Sequence, residues 1–397
     1  MLITLIWRYA RATPLMGLVA VLLMALGGAA WLLSLQVERG LEHRVAIDAR
    51  GIDLVVGAKG SPLQLVLAGV YHLDTAPGNV PLQEFERLER HPQVKAVWPL
   101  ALGDNLRGFR IVGADARMAS ELYGATLAQG QMYTAAMQAV IGAEVAKRLG
   151  LWVGDRFEGA HGLSPGGPVH EGAFYTITGV LAATGTVLDR LLLTPLESVW
   201  LVHEGTPADE MERQALEEAR ELTLMLLQYR SPLAAALLPR QINASPVLQA
   251  ASPAAEVARL FVLFEPAFQL LRAGALVLGL LAGLALFAAL MGLLDRRARD
   301  YAGLRAIGLA QGAVAVLVLG EALLLTAAGL LLALLLAALA WLGMTLWLDA
   351  GLPMTLWPEP WALLVLLLGG VLLSLLSAAW PAWRASHADP MDLLNQP

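Results

Sequence analysis

The side chains best suited to chemistry fall in a few short stretches. The run "HGLSPGGPVHEG" places His161, His170 and Glu171 in one loop rich in glycine and proline, and "YHLD" adds His72 and Asp74. Imidazole and carboxylate are zinc donors, but sites legible from sequence space them tightly, as HExxH does along a helix. The spacing here is loose, so these residues read as solvated loop groups, and no metal is expected. The stretch "GIDLVVGAKGS" (51–61) imitates a phosphate loop. A true one needs four residues between its first glycine and a Gly-Lys pair, then Ser or Thr. Here Ala58 alone separates Gly57 from Lys59, and Gly60 takes the hydroxyl position. A strand and a turn fit better, so no nucleotide or other cofactor is expected on this chain. No Ser-His-Asp set can be assembled from the sequence, and the chain is expected to be non-catalytic.

One carboxylate, Glu321, is the sole ionisable residue between Arg305 and Asp349. A lone acid at membrane depth costs ~2.5–3.5 kcal/mol on insertion scales, so a structural role inside a helix bundle is expected.

The setting of these residues is set by composition. The 397 residues are 57% hydrophobic and only 15% charged, and the net charge is −6. Mean hydropathy is +0.61. Soluble domains carry about a quarter charged residues, so the deficit points to a membrane. No basic tract calls for nucleic acid. Cysteine is absent, which excludes disulfides, thiolate metal sites and a Cys nucleophile.

A hydrocarbon core of ~30 Å needs about 20 apolar residues as helix, and four segments supply them. The expected fold is an α-helical membrane protein with four transmembrane helices. A large mixed α+β domain lies between helices 1 and 2. The boundaries read 1–13 N-terminus, 14–36 first span, 37–267 external domain, 268–294 second span and 295–309 charged link. The third span is 310–348, a short link 349–360, the fourth span 361–383, and the tail 384–397. The uncharged run of span 1 exceeds the ~7–15 residues of a signal-peptide core, so a retained anchor is expected. Arg8, Arg11, Arg296, Arg297, Arg299, Arg305 and Arg384 flank the spans on one side, whereas 349–360 holds no Lys or Arg. The positive-inside rule therefore puts both termini and the charged link in the cytoplasm and the large domain outside.

Within that domain, strands are expected at 52–56, 94–98, 108–113, 174–181 and 198–203. Helices are expected at 80–92, 207–228 and 253–268, the last feeding span 2. In span 2, Ala275, Gly279 and Gly283 form a small-xxx-small row of the kind that lets helices pack closely and supports dimers.

The charged link "DRRARDYAGLRAIGLAQG" (295–312) holds more than a topology signal. If helical, Tyr301, Leu304 and Gly308 share one face beside Arg299 and Arg305. A short helix lying at the membrane surface and docking a partner is the reading these residues support.

"RARDYAGLRAIGLAQ" resembles the cytoplasmic signature of FtsX-like permeases, the MacB-type branch of ABC transporters. The resemblance is carried by Arg299, Tyr301, Ala302, Leu304, Arg305, Ala306, Ile307 and Gly308, with Asp300 in place of the usual Glu. "PAWRASHADPMDLLNQ" is similar to the family's C-terminal ending, and "AVIGAEVAKRLGLWVGDRF" (139–157) to a segment of its periplasmic domain. The resemblance implies the permease subunit of an ABC transporter in a bacterial inner membrane. It implies a homodimer that binds two copies of a separate cytoplasmic ATPase, which holds the ATP and Mg. Residues Arg296, Arg297, Arg299, Asp300, Tyr301, Leu304, Arg305 and Gly308 would then form the coupling helix. ATP would move the periplasmic domain for export, lipoprotein handling or efflux. Two other readings are a transmembrane scaffold that activates a periplasmic partner enzyme and a membrane-anchored metal-binding protein.

Overall fold

Among the residues described by the computed structural model (15–163, 166–203, 209–306, 308–348 and 358–387), four helices are long and apolar enough to cross a membrane. Span 1 is Met16–Asp48, span 2 lies in Pro253–Ala306, span 3 in Gln311–Leu348 and span 4 in Pro360–His387. Arg8, Arg11, Ile307, most of the 349–360 link and Asp389, Pro390 and Leu394 of the C-terminal motif lie outside the described residues. The chain divides into a membrane unit, Met1–Glu42 with Phe264–Pro397, and an external unit, His43–Leu263.

In the membrane unit, glycines set how closely the spans approach. A Cβ on Gly27 of span 1 would lie 3.1 Å from the Ala275 carbonyl oxygen and 3.1 Å from Leu278 Cβ of span 2. One on Gly283 would lie 2.7 Å from Leu373 Cδ1 of span 4. Within the Ala275–Gly279–Gly283 row, Ala275 thus meets span 1 and Gly283 meets span 4, while a Cβ on Gly279 would meet nothing within 4 Å. Leu276, Val277, Leu280 and Leu284 point away from the bundle instead.

Ion pairs mark the bundle's two ends. At one end Glu38 pairs with Arg272, and Arg39 with Glu359, which directly precedes span 4. At the other, Arg384 lies 3.7 Å from Asp295.

The external unit is built on strands β1 (Leu54–Ala58), β2 (Val80–Pro81), β3 (Val94–Leu106), β4 (Phe109–Ala114), β5 (Leu127–Gly130) and β6 (Gln138–Ile141). They are followed by β7 (Arg156–His161), β8 (Val169–Leu181), β9 (Leu191–Thr194), β10 (Glu221–Leu222), β11 (Leu224–Tyr229) and β12 (Leu248–Ala251). The main sheet runs β12-β1-β11-β3-β4-β9-β6-β8-β5, with β7 bridging β3 and β8, while β10 pairs β2 in a small second sheet. One face of the main sheet buries Val55, Trp98, Leu100 and Leu226. Leu54, Val56, Met225 and Leu227 pack into a separate core.

Two expectations need correcting. Within the predicted helix 207–228 a helix forms over Glu210–Glu218, capped by the Asp209 side chain, and Glu221–Leu222 and the residues from Leu224 form β10 and β11. Leu224–Leu227 are all buried because β11 is central in the sheet and covered on both faces. Such a strand shows a continuous apolar run, which periodicity does not separate from a helix. Conversely, the predicted strand 198–203 is part of a helix, Leu196–His203. Its β-branched residues favour a strand, but packing overrides that preference. Gly113 of β4 leaves room for Val199, where a Cβ would come within 2.8 Å of Val199 Cγ2. Ser198 Oγ accepts a hydrogen bond from the Met137 amide at 2.9 Å.

The phosphate-loop imitation resolves as β1 followed by a helix, Pro62–Gly69, whose Ser61 side chain caps it. Lys59 Nζ donates to the carbonyls of Asn243 and Ser245 at 2.8 and 3.2 Å, so its charge is used structurally.

Candidate functional site

The charged link is not a separate surface helix. Residues 295–306 extend the helix of span 2, which runs without interruption from Pro253 to Ala306. The helix stops at Gly308, with φ +103°. There the Leu309 amide donates to the Leu304 carbonyl at 3.0 Å and the Gly308 amide to the Arg305 carbonyl at 3.0 Å. This pair of bonds is a Schellman stop, which requires a left-handed residue and so favours glycine. Gly308 thus shapes the turn into span 3 rather than a contact face.

The bundle also divides the expected docking residues. Tyr301 is buried in a cluster with Leu290 and Leu294 of its own helix, Val314 and Leu317 of span 3, and Ala378 and Ala382 of span 4. Arg297 is buried as well, with Nη1 3.6 Å from Glu321 Oε2. Both side chains therefore face the bundle interior, and Glu321 has a cationic neighbour that its isolation in the sequence concealed. Glu321 lies ten residues into its helix, about 15 Å from the Gln311 end. Arg296, Arg299, Asp300 and Gly308 are exposed, and Leu304 and Arg305 are half-buried. With the exposed Asp295 and Ala306 they form the outward surface of the described part of the link.

In the external unit, the structure assembles a group that the sequence leaves scattered. β3 and β7 pair antiparallel with Asp104 directly opposite His161. The hairpin from β7 to β8 returns His170 to the same place, and His203, the last residue of helix Leu196–His203, completes the set. His161 Nδ1, His170 Nε2 and His203 Nε2 stand 3.2, 3.1 and 3.6 Å from a single atom, Asp104 Oδ1. Asp104 is 2% exposed, whereas the His161, His170 and His203 side chains are 46%, 13% and 36% exposed. Burial pushes the Asp104 carboxyl up, but hydrogen bonds from His203 and His170 hold it below its ordinary value. The bond to Asp104 raises His203.

A rigid frame holds the group. Asn105 is fully buried, and its Nδ2 donates to the carbonyls of Ala160 and Gly162 at 3.1 and 2.9 Å. The Gly162 amide donates to the Gly103 carbonyl at 2.8 Å and the His161 amide to the Pro168 carbonyl at 3.0 Å. A register shift between Leu102 and Asp104 marks a bulge in β3 that turns the carboxylate towards the histidines.

The loop histidines are therefore not the independent solvated groups that their spacing predicts. Glu171 is exposed and takes no part in this group. His72 and Asp74 stay apart from it. His72 is buried at φ +54°, and burial, with the charges of Arg110 and Arg190, lowers its pKa to about 3. Sequence reasoning missed Asp104 and His203. The first has no local signature, and the second sits in a run whose period reads as strand.

Four membrane-type helices, one large mixed α/β domain after the first of them and a charged helix end together define a multi-pass membrane protein with one external domain. The family model for the MacB-like periplasmic core domain matches residues 17–244, and that for the FtsX-like permease C-terminal matches 272–390. The chain belongs to the FtsX-like, MacB-type family of ABC permeases, inner-membrane proteins whose external domain is periplasmic. Two solved structures resemble the domain. The periplasmic region of MacB from Actinobacillus actinomycetemcomitans is 12% identical, with 53% of this chain and 95% of that one covered at a TM-score of 0.34. The extracellular domain of the noncanonic ABC-type transporter YknZ from Gram-positive bacteria is 14% identical, with 50% and 98% covered at 0.29. Both likenesses are too weak to add to the family matches. No curated relative matches the chain.

Proposed function

We propose that this permease subunit couples ATP hydrolysis on a separate cytoplasmic ATPase to movement of its periplasmic domain. The observation that carries the reading is the division of residues at the end of span 2. Arg297, Tyr301 and Ala302 are locked into the bundle, while Arg296, Arg299 and Asp300, with Leu304 and Arg305 beside them, face outward. A partner that grips the outward surface pulls on side chains packed against spans 3 and 4. The same helix begins at Pro253, directly after β12.

In this reading both termini and the charged link are cytoplasmic, and two copies of the chain pair and bind two ATPase subunits. ATP and Mg sit on those subunits, and the work done outside is export, lipoprotein handling or efflux. The ion pair of Arg39 with Glu359 sets the start of span 4 at the same end of the bundle as the end of span 1, as this reading requires.

Co-purification from membranes with the cognate ATPase tests the proposal. Arg299→Glu and Arg305→Glu are expected to abolish the complex, as is Leu304→Asp, while the permease still inserts. A complex of wild-type yield with all three variants would overturn the coupling assignment.

A further inference from the structure

We propose that Asp104, His161, His170 and His203 bind a divalent first-row transition metal, with Zn²⁺ the best match. Nothing in the coupling reading uses these residues, so either proposal can fail without the other.

The geometry carries the inference. Zinc bonds nitrogen and carboxylate oxygen at about 2.0–2.1 Å, so neighbouring ligands of a tetrahedral site stand roughly 3.3–3.4 Å apart. The three imidazole nitrogens lie 3.1, 3.2 and 3.6 Å from Asp104 Oδ1, and all four ligand atoms lie within 4.8 Å of one another. The Asp104 distances thus match that spacing, and the four ligands come from four separate elements.

Hydrogen-bond accounting points the same way. His203 Nδ1 lies 2.9 Å from the Val199 carbonyl, an acceptor only, so it carries the proton. In the neutral ring, Nε2 is then a lone pair facing a carboxylate oxygen, an arrangement relieved by a second proton on the ring or by a metal cation between them. A fixed Nδ1–H donating to a carbonyl is also the outer-shell arrangement typical of metal-bound histidine. Asp104 Oδ2 is buried and has no hydrogen-bond partner among the described residues. A buried carboxylate left with spare acceptor capacity is costly unless positive charge compensates it.

Donor chemistry selects the metal. Three imidazoles and one carboxylate, with no cysteine in the chain, suit zinc and its neighbours rather than calcium or magnesium, which take oxygen ligands. The exposed sides of His161 and His203 give solvent access, and the framed Asp104 gives the site a fixed floor. A bound ion would pin the β7–β8 hairpin to β3 and to the end of helix Leu196–His203. Protonated histidines holding Asp104 without a metal are the competing account.

The test uses the full chain in detergent, purified through a tag without histidine, stripped with chelator and titrated with Zn²⁺ or Co²⁺. One equivalent per chain is expected to bind, and Co²⁺ is expected to show the intense visible bands of tetrahedral coordination. His161→Gln and His203→Gln each weaken binding more than about 100-fold, above the 10–100-fold typical of outer-shell changes. His43→Gln, at an exposed histidine outside the group, leaves binding unchanged. His161 is exposed enough for its variant to keep the fold, which circular dichroism checks. Zn²⁺ uptake by the wild type no greater than by the His161→Gln/His203→Gln double variant would overturn the proposal. So would an octahedral Co²⁺ spectrum.

Discussion

The guanidinium of Arg297 and the carboxylate of Glu321 meet at 3.6 Å inside the helix bundle, one from the extended end of span 2 and the other from span 3. Each explains the other. Arg297 would be an expensive burial without an acid nearby, and Glu321 an expensive intramembrane charge without a cation. The contact joins the stretch with which the family's sequence signature begins to the polar residue that the same sequence leaves isolated.

Removing one partner should therefore cost more than removing both. Arg297→Ala or Glu321→Ala is expected to destabilise the detergent-solubilised chain by about 3–5 kcal/mol, the usual loss when a buried charge is stranded. The double variant Arg297→Met/Glu321→Leu should recover most of that loss. Thermal melts of the four proteins in one detergent provide the check, and additive losses in the double variant would contradict the pairing.

Helix packing makes a prediction that discriminates between glycines on neighbouring helices. Gly27→Ala and Gly283→Val place a Cβ against Ala275 O and Leu373 Cδ1, at 3.1 and 2.7 Å, and should each cost about 1–3 kcal/mol. Gly279→Ala meets nothing within 4 Å and should be close to neutral. Melting temperatures measured side by side decide this. A Gly279 variant as damaging as the other two would mean that this face packs elsewhere.

His72 should give the external unit an acid-sensitive step. Its folded-state pKa is lowered to about 3, first by burial and then by the charges of Arg110 and Arg190. The unfolded side chain titrates near 6.5, so below that pH the unfolded state binds a proton that the folded state refuses. The stabilisation is complete above pH 6.5 and falls as the pH drops towards 3. Between pH 6.5 and 4.5 the loss should be about 2–3 kcal/mol. His72→Asn keeps a residue that tolerates φ +54°. Urea melts across that range should show a flatter pH dependence for the variant, and equal slopes would refute the assignment.

The sequence was a better guide to the membrane unit than to the external one, for physical reasons. A span must exclude charge over about 20 residues, so composition alone exposes it. The charged link was legible as a motif, but its two faces were not. Burial of Tyr301 and Arg297 depends on span 3 and span 4 arriving from later in the chain. In the external unit, β1, β4 and β8 showed their runs, whereas β11 and the helix ending at His203 were read in each other's class. The metal-type group was invisible for a related reason. Asp104, His161, His170 and His203 span a hundred residues, and only the β3–β7 register and the docking of one short helix bring them together.

The bulge in β3 beside Gly103 has a consequence for counting residues. Side chains of a strand alternate between faces, so a shift of one position exchanges them. Leu102 and Asp104, two residues apart, sit opposite Val112 and Ile111 and so face opposite sides of the sheet, where a regular strand would put both on one side. Presence of the four residues in a related chain therefore says little by itself. What identifies the site is an aspartate out of phase with the strand that precedes it.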